Sequence, residues 1–273
     1  MTTLSPPQNE INSVIALYSN GQIQEALGAV ETLTKSYPND PLLFNISGAC
    51  YAGLGQLNTS IKRYEQALAI KPDYADAHNN LGLTLKELGQ LDAAVKCYEK
   101  ALALKPDFAE VYYNLGLTMY DLGQLNEALI SHERAIILKP DIDYILGVLL
   151  HTKMNLCIWD DLPNRLNELT KKINNSEKVI IPFALLALID DPEIQRKNAE
   201  TLVNDKHYKS HVFSKIDHFP KHKKIRIGYF SADFTNHPVA HLTAELYEIH
   251  DRNQFKIYAF SFIPDTKRHF GSQ

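Results

Sequence analysis

A chain of 273 residues is long enough for one large or two ordinary domains, and 45% hydrophobic with 22% charged residues is an ordinary globular mixture. With a formal net charge of −4 and a pI of about 6.3 there is no basic field to draw in nucleic acid or an anionic membrane surface, so neither partner is expected. The polar start lacks the basic and apolar regions of a secretory signal, and the longest apolar run, Val179 to Ile189, is too short to span a bilayer, so the expected setting is soluble and cytoplasmic.

Internal repetition dominates the first half. Pro38, Pro72, Pro106 and Pro140 lie 34 apart, and Gly21, Gly55, Gly89 and Gly123 keep the same period in phase. Aligned on them, region 1–142 divides into repeats 7–40, 41–74, 75–108 and 109–142. The third carries His78, Leu81, Gly82, Leu85, Gly89, Ala94, Tyr98, Ala101 and Pro106; the fourth carries Tyr112, Leu115, Gly116, Met119, Gly123, Ala128, Ala135 and Pro140. Small residues fall where two helices of a hairpin must approach closely, and large ones between them. The pattern resembles the tetratricopeptide (TPR) family, which implies an α-solenoid of helical hairpins that bury their apolar faces on one another and leave a groove for a protein or peptide. In the first repeat Ser13 and Val14 replace the usual pair ending in Gly, which suits an end cap.

The sixth positions of the repeats read Asn12, Ile46, Asn80 and Asn114. This column resembles the asparagine ladder of the O-linked N-acetylglucosamine transferase repeats, and the resemblance implies that Asn12, Asn80 and Asn114 grip the backbone of a bound polypeptide. An amide offers donors and an acceptor, so it pairs with any peptide bond regardless of side chain. The second repeat departs from the column, with Asn45 one place early. The alternative is that Asn80 and Asn114 only bond backbone within their own hairpins.

From 143 to 220 the 34-residue beat is lost. Apolar spacing still predicts helices over Tyr144 to Asn155 and Leu162 to Lys172, so the region reads as a helical connector. Trp159 reads as a core or interface aromatic. The stretches Cys157-Ile-Trp-Asp-Asp-Leu162 and Ile181-Pro-Phe-Ala-Leu-Leu-Ala-Leu-Ile-Asp-Asp-Pro192 resemble the segment that joins repeats to catalytic domain in bacterial relatives of the same transferase. Cys50, Cys97 and Cys157 are odd in number and far apart, without disulfide or zinc spacing.

Region 221–273 changes character. Ile225 to Ser231 and Phe255 to Phe262 read as buried strands, and Val239 to His250 between them has helical spacing after Pro238. A β-α-β unit of doubly wound type gathers ligands beyond the carboxyl ends of its strands, here the loop Ser231-Ala-Asp-Phe-Thr-Asn-His237. His237, His241 and Glu245 recur at steps of four, but Pro238 makes His237 a pre-helix residue, so no metal site is expected. Asp233 suits a role in satisfying the amides of the following helix.

The run Ile225-Arg-Ile-Gly-Tyr-Phe-Ser-Ala-Asp-Phe-Thr-Asn-His-Pro-Val-Ala-His-Leu242 resembles the opening of the O-linked N-acetylglucosamine transferase catalytic domain. The resemblance implies an incomplete Rossmann-like unit of GT-B type, an active-cleft position for His237 as the base that takes the acceptor hydroxyl proton, no tightly bound cofactor, and UDP-GlcNAc as donor of the complete enzyme. Such a lobe needs on the order of 150 residues, so 221–273 reads as the truncated start of the N-lobe, inactive alone. Two functions follow as expectations: the amino-terminal part of a protein O-GlcNAc transferase-like glycosyltransferase whose groove holds the acceptor polypeptide, or a non-catalytic TPR adaptor carrying a catalytic remnant. A homodimer through the TPRs is compatible with either.

Overall fold

The computed structural model describes residues 5–206, 223–231 and 245–261. Contacts divide the chain into two units, 1–209 and 210–273. The first begins with eight helices: α1 (Gln8–Ser19), α2 (Ile23–Ser36), α3 (Pro41–Gly53), α4 (Leu57–Ile70), α5 (Ala75–Glu87), α6 (Leu91–Leu104), α7 (Ala109–Asp121) and α8 (Leu125–Leu138). They pair in chain order as four hairpins, and the second helix of each packs on the first of the next. The turn inside each hairpin needs a left-handed residue, and Gly55 and Gly89 supply it at φ +71° and +79°, where a Cβ would be penalised. Helices α4 and α6 stop at Ile70 and Leu104, two residues before Pro72 and Pro106, since the residue preceding proline is pushed out of the helical region. Pro41 opens α3 behind the carboxylate of Asp40, whose Oδ1 accepts from the amides of Leu42 and Leu43 at 2.9 and 3.3 Å.

What locks the second, third and fourth hairpins is a ring set against a glycine. A methyl group built on Gly48 or Gly82 would lie 2.6 Å from the ring of Tyr64 or Tyr98, and one on Gly116 would lie 2.3 Å from His132. These glycines, like the rings, are 34 apart, and Tyr64, Tyr98 and His132 are all buried. Burying such a ring is worth roughly 2–3 kcal/mol, but only if the facing helix has no side chain there. Between hairpins apolar packing continues, as where Leu43 and Ile46 join Val14 and Val30, and polar links are added to it. Arg63 donates to both carboxylate oxygens of Glu31 at 2.8 and 2.9 Å, and Ser47 Oγ donates to the same carboxylate at 2.8 Å, which ties the second hairpin to the first.

Helix α9 (Ile145–Asn155) continues the stacking past Pro140. It packs on α8, and its Thr152 Oγ1 lies 3.2 Å from Nδ1 of His132, with Thr84, Thr118 and Thr152 again 34 apart. The hydrophobic side of α9 then closes on α10 (Leu162–Asn174), α11 (Pro182–Leu185) and α12 (Pro192–Lys206) around Leu146, Leu150, Leu169, Ile173, Ile180 and Leu185. Gly147 lets the segment at Val179 and Ile180 cross close to α9: its amide donates to Val179 O at 2.8 Å, and a Cβ there would lie 2.6 Å from Ile180. Trp159 is half exposed (50%) rather than in this core. Of the cysteines Cys50 is buried, and burial pushes its thiol up to about 11; Cys157 is exposed.

The second unit contains β1 (Ile225–Ser231) and β2 (Phe255–Ser261), paired in parallel from Ile225 opposite Phe255 to Ser231 opposite Ser261. The strand bounds follow the β-branched and aromatic runs. Parallel pairing requires the chain to cross over between the strands, as the β-α-β reading expects. One face carries Tyr229, whose ring meets Tyr247 edge-on at 4.8 Å and whose hydroxyl lies 3.0 Å from His250 Nε2. The other carries Phe230 and Phe260, stacked at 4.6 Å. The architecture is thus a mainly helical TPR array with a small parallel sheet towards the carboxyl terminus.

Candidate functional site

The first helices of the hairpins, α3, α5 and α7, touch one another directly and make one face, the inner one in stacks of this kind. Amide side chains are threaded across it. Asn114 Nδ2 donates to Asn79 Oδ1 at 3.0 Å, Asn79 Nδ2 to Asn80 Oδ1 at 3.5 Å, and Asn80 Nδ2 to Asn45 Oδ1 at 3.1 Å. Each bond that crosses a seam joins residues 35 apart, the fifth position of one repeat to the sixth of the next. Asn45 and Asn79 are buried, with 9% exposure each, whereas Asn80 and Asn114 are half-buried. The buried pair acts as struts, and the half-buried pair is partly open to solvent. After one bond across the seam, each presented amide keeps a second hydrogen and a carbonyl with lone-pair capacity.

Asn80 and Asn114 therefore share one face but are joined only through Asn79. Asn12 stands apart: it is exposed, and its Oδ1 accepts from Gln8 Nε2 at 3.0 Å within α1. The backbone carbonyls of Asn80 and Asn114 accept from Thr84 and Thr118 at 3.0 and 2.8 Å, while their side-chain amides bond across the seams to Asn45 and Asn79. Asn45 and Asn79 form a second column of period 34, one position or about 100° of helix before the first, and following the sixth positions alone passes over Asn79. The signal was the recurrence of Asn at both members of a 35-residue spacing.

The face has charge at one edge, where Lys86 Nζ meets Asp121 Oδ2 at 3.0 Å across the α5–α7 seam. At the α7–α9 seam the amides give way to rings. Tyr120 and His151 lie 5.5 Å apart, and Asn155 Nδ2 donates to Tyr120 Oη at 3.1 Å and to the His151 carbonyl at 2.8 Å.

A separate cleft of about 550 Å³ opens where α8 meets α10, lined by Ile137, Asp143, Arg165, Lys172, Glu177 and Lys178 among others. Most of its charges are paired with one another: Arg165 with Glu168 at 3.0 Å, Lys172 with Glu177 at 2.8 Å and Lys178 with Asp143 at 3.2 Å. Among the described residues no cluster of His, Cys, Asp and Glu has metal-holding geometry, and no helix is long and apolar enough to cross a membrane. His237, with Asp233 and His241, lies outside the described residues.

Comparison with known proteins adds what geometry does not. The repeats match the models described as TPR repeat, over 48–89 and 82–123, and tetratricopeptide repeat, over 108–139. Residues 197–273 match glycosyl transferase family 41. Among curated proteins, the chain is 31% identical over 128 residues to a probable UDP-N-acetylglucosamine–peptide N-acetylglucosaminyltransferase of Arabidopsis thaliana, a match covering 41% of this chain. It is 33% identical over 51 residues, 19% of the chain, to the corresponding enzyme of Caenorhabditis elegans. The matched stretches span only 13% and 4% of those two proteins. A thermophilic TPR protein of Thermus thermophilus superposes with a TM-score of 0.52 at 21% identity, over 72% of this chain and 98% of that one, a likeness of fold alone. The chain is therefore a tetratricopeptide-repeat protein that carries a glycosyl transferase family 41 segment, and it is a distant homologue of the UDP-N-acetylglucosamine–peptide N-acetylglucosaminyltransferases.

Proposed function

We propose that the chain is the amino-terminal part of a protein O-GlcNAc transferase-like glycosyltransferase, in which repeats 7–40, 41–74, 75–108 and 109–142 hold the acceptor polypeptide for a catalytic region that begins at about residue 221. The observation that carries this reading is the strutted amide chain, which lies in the same polypeptide as the family 41 segment. Amides spaced along a groove suit an enzyme that accepts many proteins, because they address the peptide bond and not the side chain. UDP-GlcNAc is the proposed donor, and transfer goes to a Ser or Thr hydroxyl whose proton passes to the imidazole of His237, a residue assigned by its Asp-Phe-x-x-His-Pro setting. The proposed setting is cytoplasmic.

A second reading, an adaptor that binds polypeptide without transfer, is favoured by the small sheet, which among the described residues has two strands. One pair of measurements tests the readings. A fluorescent Ser/Thr-rich peptide should bind the chain, and Asn80→Ala with Asn114→Ala together should weaken it about tenfold, the worth of one or two good hydrogen bonds. Labelled UDP-N-acetylglucosamine added to the same mixture reports transfer. Incorporation that His237→Ala abolishes, with binding intact, supports the enzyme and overturns both the adaptor reading and the expected inactivity of 221–273 alone; binding with no incorporation is what both readings expect of this stretch of chain.

A further inference from the structure

The amide chain ends abruptly at Asn114. One period on from Asn79 stands Tyr113, and one period on from Asn114 stands Val148, so the pair that would carry the chain across the α7–α9 seam has no amide. What crosses that seam instead is the set of Tyr120, His151 and Asn155. Asn155 spends both hydrogens of Nδ2, one on Tyr120 Oη and one on the His151 carbonyl, which pins the phenol in place. Since Tyr120 Oη already accepts, what the phenol has to offer is its own hydrogen. The seam therefore presents the sides of two partly exposed rings and a donor.

We propose that this seam holds a proline of the polypeptide that lies along the amides, an inference that rests on the groove reading above. A polypeptide laid along the ladder is extended, and proline arrives already extended, with less ordering to lose on binding. Its ring packs on aromatic faces, as in other grooves that recognise proline. It lacks an N–H, so it loses nothing at a phenol that has no acceptor to give, while the carbonyl beside it takes the Tyr120 hydrogen. The groove then has two parts: an amide stretch indifferent to side chains and an aromatic end that sets register by one residue type.

The test titrates the full chain into fluorescein-labelled peptides of Ser, Thr and Ala that differ only by Pro, Phe or Ala at one scanned position. At one position the Pro peptide should bind about 3- to 10-fold tighter than the Ala peptide, the range expected of one aromatic contact. Tyr120→Ala should erase that preference, bringing the Pro and Ala peptides to equal affinity; Tyr120→Phe, which keeps the ring, should retain part of it. If Tyr120→Ala loosens α9, His151→Ala trims the other wall and should lower the preference by itself. Equal affinity for Pro and Ala peptides at every position overturns the inference, as does a preference for Phe or a Pro preference that survives both alanine variants, while the groove reading stands. Failure of every peptide to bind overturns both.

Discussion

The two units solve the burial of apolar surface differently. In the helical array every ring of the repeating column is enclosed within its own hairpin, Tyr98 and His132 at 0% exposure, by a glycine some sixteen residues earlier in the chain. In the small sheet Phe230 is 63% exposed, Ile225 61% and Phe260 45%. A hairpin closes on local contacts and needs its neighbours only to finish the job, whereas a parallel sheet is stable when both faces are covered. The contrast separates a part of the chain that carries its own core from a sheet that has no buried core among the described residues, and the two should respond differently to exchange, substitution and pH.

The largest contrast should appear in amide exchange. Amides of α3 to α8 should be protected more strongly than those of β1 and β2 by at least ~3 kcal/mol of opening free energy, read by exchange mass spectrometry; equal protection would abolish the distinction. Within the array, Gly82→Ala sets a methyl against Tyr98 and should cost about 2–4 kcal/mol in denaturant unfolding, even after the gain in helix propensity. If the ring simply swings aside the loss will be under ~1 kcal/mol, and the ring-on-glycine account of hairpin rigidity fails.

His132 sharpens the comparison by pH. Burial lowers its pKa from 6.5 to about 4. Thr152 Oγ1 donates to Val148 O at 2.9 Å, so it accepts from Nδ1–H of the neutral ring, and Nε2 faces the core without a partner. The unfolded chain thus takes up the proton first. Stability present above pH 6.5 should decline as the pH falls towards 4, by about 3 kcal/mol in all, and the decline should flatten in His132→Tyr, which restores the residue type of the two preceding repeats. The smallest effect belongs to the struts: Asn79→Ala should cost only ~1 kcal/mol of stability yet weaken peptide binding, because it unfixes both Asn80 and Asn114.

The sequence made the hairpins legible because their determinants are local. A left-handed turn residue, a proline stop and a ring with its glycine all lie inside one period, so a single column of residues reveals each. The helix over α9 and both strands were legible for the same reason, from apolar spacing and β-branched runs. The amide chain was only half legible: Asn80 and Asn114 stand in the repeat column, but the bonds that order them run obliquely from one repeat to the next, between positions that are not equivalent. Asn12 illustrates the converse, since it occupies the column and bonds within its own helix. The proline and glycine marks stop at Pro140 and Gly123, so they do not reveal that α9 docks on α8; only the threonine column, Thr84, Thr118 and Thr152, carries the period on.

The junctions between hairpins have a mechanical consequence. A ring wedged against a helix backbone cannot slide, so each hairpin moves as a stiff plate; the inner edges of successive plates are laced by single amide bonds at 3.0 to 3.1 Å that water can replace. Under load these links should yield before the hairpins deform, so a change in the pitch of the array is expected to leave each ring and its glycine in contact.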